Sequence, residues 1–183
     1  MKVKATPLAG AFIIEMEPIA DERGFFARAF CRATFAEHGL NPAIDQCSVS
    51  FNTARGTLRG MHFQAAAAAE DKLVRCTAGA IFDAIVDIRR GSKTHGQWFG
   101  VELSAANRRQ LYIPKGFAHG FLTLAGETEV FYQISTPFVP TAARGVRWND
   151  PAIGVAWPFA PIVVSARDAA YPTLSELSED DLG

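Results

Sequence analysis

The chain has 183 residues, of which 49% are hydrophobic, a size and composition typical of one globular domain. Its 18 Lys and Arg residues nearly balance 19 Asp and Glu residues, and the net charge of -1 gives no sign of binding to nucleic acid or to anionic membranes by bulk attraction. The three scattered cysteines, with no CxxC motif, argue against a disulfide framework or a structural zinc site. With no signal-like N-terminus and no apolar run of about 18 residues, the sequence predicts a soluble cytoplasmic protein.

The first part of the chain predicts short strands and one helix. Residues 12–14 predict an opening strand, and residues 25–30 predict a second strand after the turn at residues 21–24. Residues 31–37 predict a short helix that Gly39 closes. The helix is therefore an isolated element in a sequence dominated by strand signals.

From residue 46 onward, strand signals recur at spacings of about ten residues. The predicted strands span residues 46–52, 58–64, 72–77, 80–88, 97–103, 110–113, 117–124 and 129–135. In the strand at 80–88, Phe82 and Val86 alternate with Asp83 and Asp87, as the alternating faces of a strand require. The alanine run at 65–69 predicts a loop or a single turn. The whole pattern predicts an all-β sandwich or barrel, and a jelly-roll barrel fits it.

A few of these apolar segments also carry polar and charged side chains. The side chains concerned are Arg59, His62, Gln64, Lys72 and His119. Such groups on β-like segments predict a site inside a barrel. Strict alternation would place Arg59 and His62 on opposite faces, so both can line one cavity only if Gly60 introduces a bulge or twist.

Taken together, these segments resemble the dTDP-4-dehydrorhamnose 3,5-epimerase family of the cupin superfamily. Matching motifs follow the family order between about residues 10 and 172 and include residues 21–26, 58–64, 72–75, 82–89, 103–104, 112–114, 116–121 and 147–151. The resemblance implies a double-stranded β-helix, a cupin or jelly-roll barrel, with the short N-terminal helix and a few C-terminal turns. We expect one domain over residues 1–183, with a frayed acidic end at 175–183.

The resemblance also implies an activity and an assembly. The family acts on a nucleotide-linked 4-keto-6-deoxyhexose, uses no metal or other cofactor, and is usually homodimeric. We therefore expect a nucleotide-sugar substrate, a homodimer, and neither nucleic acid nor a membrane as partner. A place in deoxysugar biosynthesis, such as the synthesis of dTDP-rhamnose for cell-surface polysaccharides, follows from the same resemblance.

Epimerisation next to a ketone removes a proton from carbon and returns one on the opposite face, so it needs a base, an acid and an enolate stabiliser. His62 is the predicted base, because an imidazole titrates near neutral pH. Lys72 is the predicted enolate stabiliser, and Tyr132 is the predicted acid, with a packed core role as its alternative. Asp168 matches the family aspartate that orients the base, and Asp83 is the alternative orienting residue.

The remaining predicted site residues would bind substrate. Arg59 and Arg23 are expected to bind the diphosphate, because guanidinium groups pair with phosphate oxygens, and Phe138 is expected to stack on thymine. The other predicted positions are Arg28, Gln46, Ser48, Lys72, His119 and Arg167. The commoner family pattern has other residue types at Arg28, Ser48, Ala143 and Arg167. These departures leave the preferred nucleotide base open; the sequence also leaves open the deoxysugar and whether C3, C5 or both are inverted.

Other functions are compatible with the same residues. A metal-dependent cupin would use His62, Gln64, Glu70 and His119, although this set lacks the usual three imidazoles. A sugar 3,4-ketoisomerase in a related barrel is a further enzymatic alternative. A non-catalytic sugar-nucleotide-binding module would keep Arg23 and Arg59 but would not need His62 or Tyr132.

Overall fold

The computed structural model describes residues 1–178 and Asp181. In chain order the strands are β1 (Lys2–Ala5), β2 (Phe12–Glu15), β3 (Ile19–Asp21), β4 (Gly24–Phe26), β5 (Gln46–Asn52), β6 (Thr57–Gln64), β7 (Lys72–Ala78), β8 (Ala80–Asp87), β9 (Trp98–Ser104), β10 (Gln110–Ile113), β11 (Phe117–Thr123), β12 (Thr128–Ile134), β13 (Ala143–Gly145) and β14 (Val163–Val164). The helices are α1 (Arg32–Glu37) and α2 (Ala166–Ala169), and 3-10 turns lie at Ala66–Ala68, Pro140–Ala142 and Leu174–Glu176. This content confirms the predicted all-β class with a short N-terminal helix.

Most strands belong to two sheets. The first has the order β1-β2-β10-β7-β12-β5, and the second has the order β13-β6-β11-β8-β9. Neighbours within each sheet are antiparallel, except that β14 adds to β6 in parallel. Sequence neighbours such as β7 and β8 lie in different sheets, so the chain passes repeatedly between the sheets, as in a jelly roll.

The main core lies between the sheets and is built from alternate residues. Val74 and Val130 of the first sheet belong to the same apolar cluster as Ile85 and Phe121 of the second sheet. The intervening residues of β8, such as Val86, pack instead in a second cluster on the other face of their sheet. Both faces of β8 are therefore buried, and a polar residue on the Ile85 face lies inside the barrel.

Segments outside the sheets cover their outer faces. Phe35 of α1 packs with Leu73 and Tyr112 on the first sheet, and α1 is followed by Gly39, which has φ +69°. This glycine conformation agrees with the predicted helix end. Over the residues that the structure describes, no helix has both the length and the apolar character needed to cross a membrane.

Most predicted boundaries agree with the structure to within one residue, but two differ by more. The strand predicted at 25–30 ends at Phe26, because β4 pairs only with β3 in a hairpin outside both large sheets. Fraying does not begin at residue 175, because Leu177 is buried in the second-sheet cluster and the Thr173–Glu176 capping box closes the preceding turn. The later positions 179, 180, 182 and 183, where fraying was also predicted, lie outside the described residues. Strands β1, β3, β13 and β14 are additional to those predicted.

Candidate active site

A cavity of about 320 Å³ lies between the two sheets. The predicted site residues that line it are Gln46, Ser48, Arg59, His62, Lys72, His119, Tyr132, Phe138 and Arg167. Strands of the first sheet carry Lys72 and Tyr132, whereas strands of the second sheet carry Arg59 and His62. The predicted base and the predicted acid therefore come from opposite walls.

His62 forms a hydrogen-bonded pair with Asp168. The Nε2 of His62 donates to Oδ1 of Asp168 at 2.8 Å, and the Gly60 amide donates to Oδ2 at 3.2 Å. Burial would raise the pKa of Asp168, but these hydrogen bonds, above all the one from His62, hold its pKa below the ordinary value. Since a carboxylate accepts from Nε2, the Nδ1 of neutral His62 is the ring nitrogen that can take up a proton.

Local structure fixes the position of Asp168. It lies on α2, where Ser165 caps the helix by accepting a hydrogen bond from the Asp168 amide at 3.0 Å. The Asp168 side chain is 6% exposed, whereas that of His62 is 41% exposed. The carboxylate is thus fixed behind an imidazole that stays open to the cavity.

The conformation of Gly60 lets Arg59 and His62 line the same cavity. Gly60 has φ +152°, and the register between β6 and β11 shifts at this point. A Cβ atom at Gly60 would lie 2.6 Å from the Cα of Gly120, so only glycine fits there. The break in alternation predicted at Gly60 is confirmed.

A second histidine–aspartate pair lies deeper in the barrel. The Nε2 of His119 donates to Oδ1 of Asp83 at 2.6 Å, and the side chains are 5% and 0% exposed. Asp83 Oδ2 is buried without a hydrogen-bond partner among the described residues. Asp83 therefore orients His119, and the alternative that it orients His62 is wrong.

Tyr132 lies beside this buried pair. Its ring meets that of His119 edge to face, with 6.1 Å between the centroids. Burial, reinforced by the negative charge of Asp83, raises the pKa of the Tyr132 phenol, and the positive charge of Arg59 opposes the shift only in part. The phenol therefore stays protonated at neutral pH, as a proton donor must.

Cationic groups make the cavity suited to an anionic ligand. Arg59, Lys72, Arg144 and Arg167 all line it. The Nε of Arg59 donates to Oδ1 of Asn52 at 2.8 Å, and Asn52 is itself buried and donates to the Thr128 carbonyl at 3.2 Å. This anchor fixes the Arg59 stem and leaves its terminal NH2 groups available for paired hydrogen bonds to phosphate oxygens.

The protein-family comparison identifies the chain. The family model described as dTDP-4-dehydrorhamnose 3,5-epimerase matches residues 5–176. The chain belongs to this epimerase family. Within the family, the Salmonella typhimurium enzyme dTDP-4-dehydrorhamnose 3,5-epimerase is 44% identical over 178 residues, covering 96% of this chain and 97% of that protein. The Methanothermobacter thermautotrophicus enzyme of the same name is 44% identical over 174 residues, covering 93% of each.

A solved structure gives the same result for the fold. The dTDP-6-deoxy-D-glucose-3,5-epimerase from Legionella pneumophila, in complex with dTDP-4-keto-L-rhamnose, superposes with a TM-score of 0.93 at 37% identity. The match covers 99% of this chain and 96% of that chain. The barrel predicted by resemblance is therefore confirmed as the cupin-like jelly roll of the epimerase family.

Two predicted binding residues of this epimerase-family chain do not reach the cavity within one copy. Arg23 lies on the β3–β4 hairpin, its side chain is 83% exposed, and it pairs with Asp21. Arg28 is also exposed and does not line the cavity. Their predicted roles need either a rearrangement or a second copy of the chain.

The residues considered for a metal-dependent cupin are engaged in other contacts. His62 and His119 bond to separate aspartates, Glu70 pairs with Lys72, and Gln64 donates its amide to Glu70. Within residues 1–178 and 181, no cluster of His, Cys, Asp or Glu is arranged to hold a metal ion. The geometry thus favours the epimerase set over the metal set.

Sequence reasoning missed two charged residues that line the cavity of this family member. Arg144 follows the replaced position Ala143 and donates to Asp181 at 2.7 Å. Glu70 was considered only as a metal ligand, yet its carboxylate contacts the Lys72 ammonium at 2.9 Å. The spacing of Glu70 and Lys72 on one chain segment was the available signal, because side chains two residues apart share a face in extended chain.

Proposed function

We propose that the protein inverts carbon centres next to the ketone of a dTDP-linked 4-keto-6-deoxyhexose, as a 3,5-epimerase. The observation that carries this proposal is the placement of His62, backed by Asp168, and of Tyr132 on opposite walls of one cationic cavity. Inversion needs a base on one face of the sugar and an acid on the other, and this arrangement supplies both.

The proposed reaction starts at His62. Its Nδ1 removes the proton from the carbon next to the ketone, and the electron pair of the broken C–H bond forms the enolate. Asp168 stabilises the resulting imidazolium, and Lys72 stabilises the negative oxygen. The Tyr132 hydroxyl then donates its proton to the opposite face of the same carbon. Exchange with solvent reprotonates the phenolate and deprotonates His62, and the cycle can repeat at the second carbon.

Substrate binding follows from the cationic wall in the same proposal. Arg59, with its stem fixed by Asn52, would bind the diphosphate, and Arg167 would add charge at the cavity edge. Phe138 lines the cavity and is 57% exposed, so its ring is available to stack on a nucleotide base. Gln46, Ser48 and His119 would complete the polar contacts.

We further propose that the protein is a homodimer. The β3–β4 hairpin exposes Ile19 at 74% and Phe26 at 73%, and the edge strand β5 exposes Val49 at 59% and Phe51 at 52%. Exposed apolar surface on this hairpin and on the edge of the first sheet favours association with another chain. In such a dimer the hairpin can carry Arg23 to the cavity of the second copy, which would reconcile its predicted role with its exposed position.

A deuterium-exchange assay tests the proposed function. The protein is incubated with dTDP-4-keto-6-deoxyglucose in D2O, and the deuterons in the product are located by NMR. Deuterium at both C3 and C5, with activity retained in EDTA, is the expected result. Uptake at one carbon alone would restrict the activity to a monoepimerase, and loss of activity in EDTA with rescue by one divalent ion would contradict the proposal.

The dimer is tested separately by light scattering coupled to size exclusion. Wild type is expected at the mass of two chains, and Phe26→Asp is expected to shift it towards one chain. A monomeric wild type that binds dTDP normally would contradict the dimer. Arg23→Ala should weaken dTDP binding by about 1.5–3 kcal/mol if the hairpin reaches a cavity.

A further inference from the structure

The cavity contains an ion pair that the proposed reaction does not yet use. Glu70 Oε1 lies 2.9 Å from Lys72 Nζ, and the side chains are 9% and 11% exposed. Among the described residues that line the cavity, Glu70 is the one carboxylate, beside the cationic Arg59, Arg144 and Arg167. A nearly buried ammonium group in such a cationic cavity needs a counter-charge to hold its place.

The chain holds both members of the pair on the same side. Glu70 and Lys72 face the cavity, whereas Asp71 between them faces away and accepts hydrogen bonds from Asn41 Nδ2 at 2.8 Å and from Tyr112 Oη at 3.0 Å. The Asp71 amide also donates to Ser135 Oγ at 2.9 Å. Because this anchor fixes the backbone between them, the two charges are presented together at the cavity wall.

Glu70 is held from its other side by Gln64. The Gln64 Nε2 donates to the second carboxylate oxygen of Glu70 and to the Ala68 carbonyl at 3.0 Å. Its Oε1 accepts a hydrogen bond from the Val139 amide at 2.7 Å, and Gln64 is 6% exposed. A buried amide thus orients the carboxylate, and the carboxylate orients the ammonium.

We propose that Glu70 is a positioning residue that holds the Lys72 ammonium where the enolate oxygen forms, with Gln64 holding Glu70 in turn. A lysine ammonium is a point charge on a flexible stem, so it stabilises a transition state well only when it is fixed beforehand. Glu70 supplies this fixation without touching the reacting atoms. The inference deepens the proposed epimerase function and rests on it.

The test replaces the charge while keeping the shape. Glu70→Gln is expected to lower kcat by about tenfold or more, with deuterium uptake and inversion falling in parallel, because Lys72 would act in enolate formation. Binding of dTDP, which lacks the keto sugar, should stay within about twofold of wild type if Glu70 acts on Lys72 rather than on the fold. Glu70→Asp, which keeps the charge, should recover part of the lost rate.

The chain provides a matched control. Glu15 pairs with Lys4 at 2.6 Å on the surface of the first sheet, outside the cavity, so Glu15→Gln makes the same chemical change in another Lys–Glu pair. It should leave kcat within about twofold of wild type. Gln64→Ala keeps the Glu70–Lys72 pair charged but removes its support, and it should lower kcat by about threefold or more.

The outcomes separate this inference from the proposed function. If Glu70→Gln keeps kcat within about twofold of wild type, or if it loses dTDP binding as much as kcat, the positioning role is wrong. If Glu70→Gln does not give a cooperative thermal transition, Gln64→Ala decides: an unchanged kcat overturns the role. If wild type takes up no deuterium from D2O, the epimerase function itself fails.

Discussion

The two histidine–aspartate pairs of the cavity share one chemistry but differ in their surroundings. Both histidines line the cavity, but His62 is 41% exposed, whereas His119 is 5% exposed and lies against the Tyr132 ring. Asp168 uses both carboxylate oxygens, one for His62 and one for the Gly60 amide, but Asp83 has one buried oxygen without a partner in the described part of the chain. An open, fully satisfied pair is suited to moving protons, and a closed pair to holding a wall in place.

The largest effect is expected from replacing His62, the imidazole that is open to the cavity. His62→Asn keeps the approximate shape but leaves no group that can take up a proton. Both deuterium uptake and inversion are expected to fall by about 10²–10⁴-fold, the range for general base catalysis. NMR measurement of both rates checks this; a His119→Asn variant that lost as much of both would remove the distinction between the pairs.

Tyr132→Phe tests the predicted acid, which lies on the wall of the cavity opposite His62. His62 and Lys72 remain, so the enolate still forms, but the proton can return only on the face that it left. Inversion is expected to fall by about 10²-fold or more, while deuterium uptake persists. Inversion at a rate near that of wild type would show that Tyr132 is not the acid, and loss of uptake would place its role earlier in the reaction.

Asp168→Asn tests whether Asp168 orients His62. The amide keeps a side chain of the same size but gives up the charge that stabilises the imidazolium. We expect kcat to fall by about 10–100-fold, the loss typical when a partner that orients a histidine is changed, with binding of dTDP little affected. Steady-state kinetics together with dTDP titration measure the two quantities, and a variant with normal kcat would contradict an orienting role.

Asp83→Ala tests the buried pair of His119 and Asp83. The change leaves His119 Nε2 buried without its partner, which costs about 1–3 kcal/mol in free energy of unfolding. Urea denaturation should show this loss, while kcat measured well below the transition falls by less than in Asp168→Asn. A larger kinetic loss than for Asp168→Asn would place the closed pair in the reaction itself.

The smallest expected effect is a pH dependence of stability. Asp168 has a lowered pKa in the folded state, so the unfolded chain takes up its proton first as pH falls. The stabilisation by its charge should be fully present above about pH 4 and should disappear as pH falls through the folded-state pKa. Comparing the unfolding free energies of wild type and Asp168→Asn over this range measures it; a difference that grew on acidification would contradict the sign.

Strand periodicity predicted which side chains of β7 and β12 reach the barrel interior. Lys72 shares its side of β7 with the core residue Val74, and Tyr132 shares its side of β12 with Val130, so both reach the interior as predicted. The predicted break at Gly60 is also present, because glycine is the residue that allows alternation to change.

The partners of the polar residues could not be read from periodicity. Asp168 is 106 positions from His62 in the sequence. Only the family resemblance predicted that the two residues interact. Parity placed Asp83 on a polar face but could not select His119 over His62 as its partner. Arg23 lies outside the cavity because the β3–β4 hairpin that carries it belongs to neither large sheet, and periodicity does not predict how such a hairpin is placed.

Because β6 and β11 approach closely, Gly60 and Gly120 should respond alike in mutational scanning. A Cβ atom at Gly120 would lie 2.8 Å from the Arg59 carbonyl oxygen, just as one at Gly60 would meet the Cα of Gly120. A substitution at one glycine cannot be compensated by a second substitution at the other, because each new side chain would clash with backbone atoms of the neighbouring strand. A library of all single substitutions should therefore show both positions depleted as strongly as His62, although neither glycine has a side chain to take part in the chemistry.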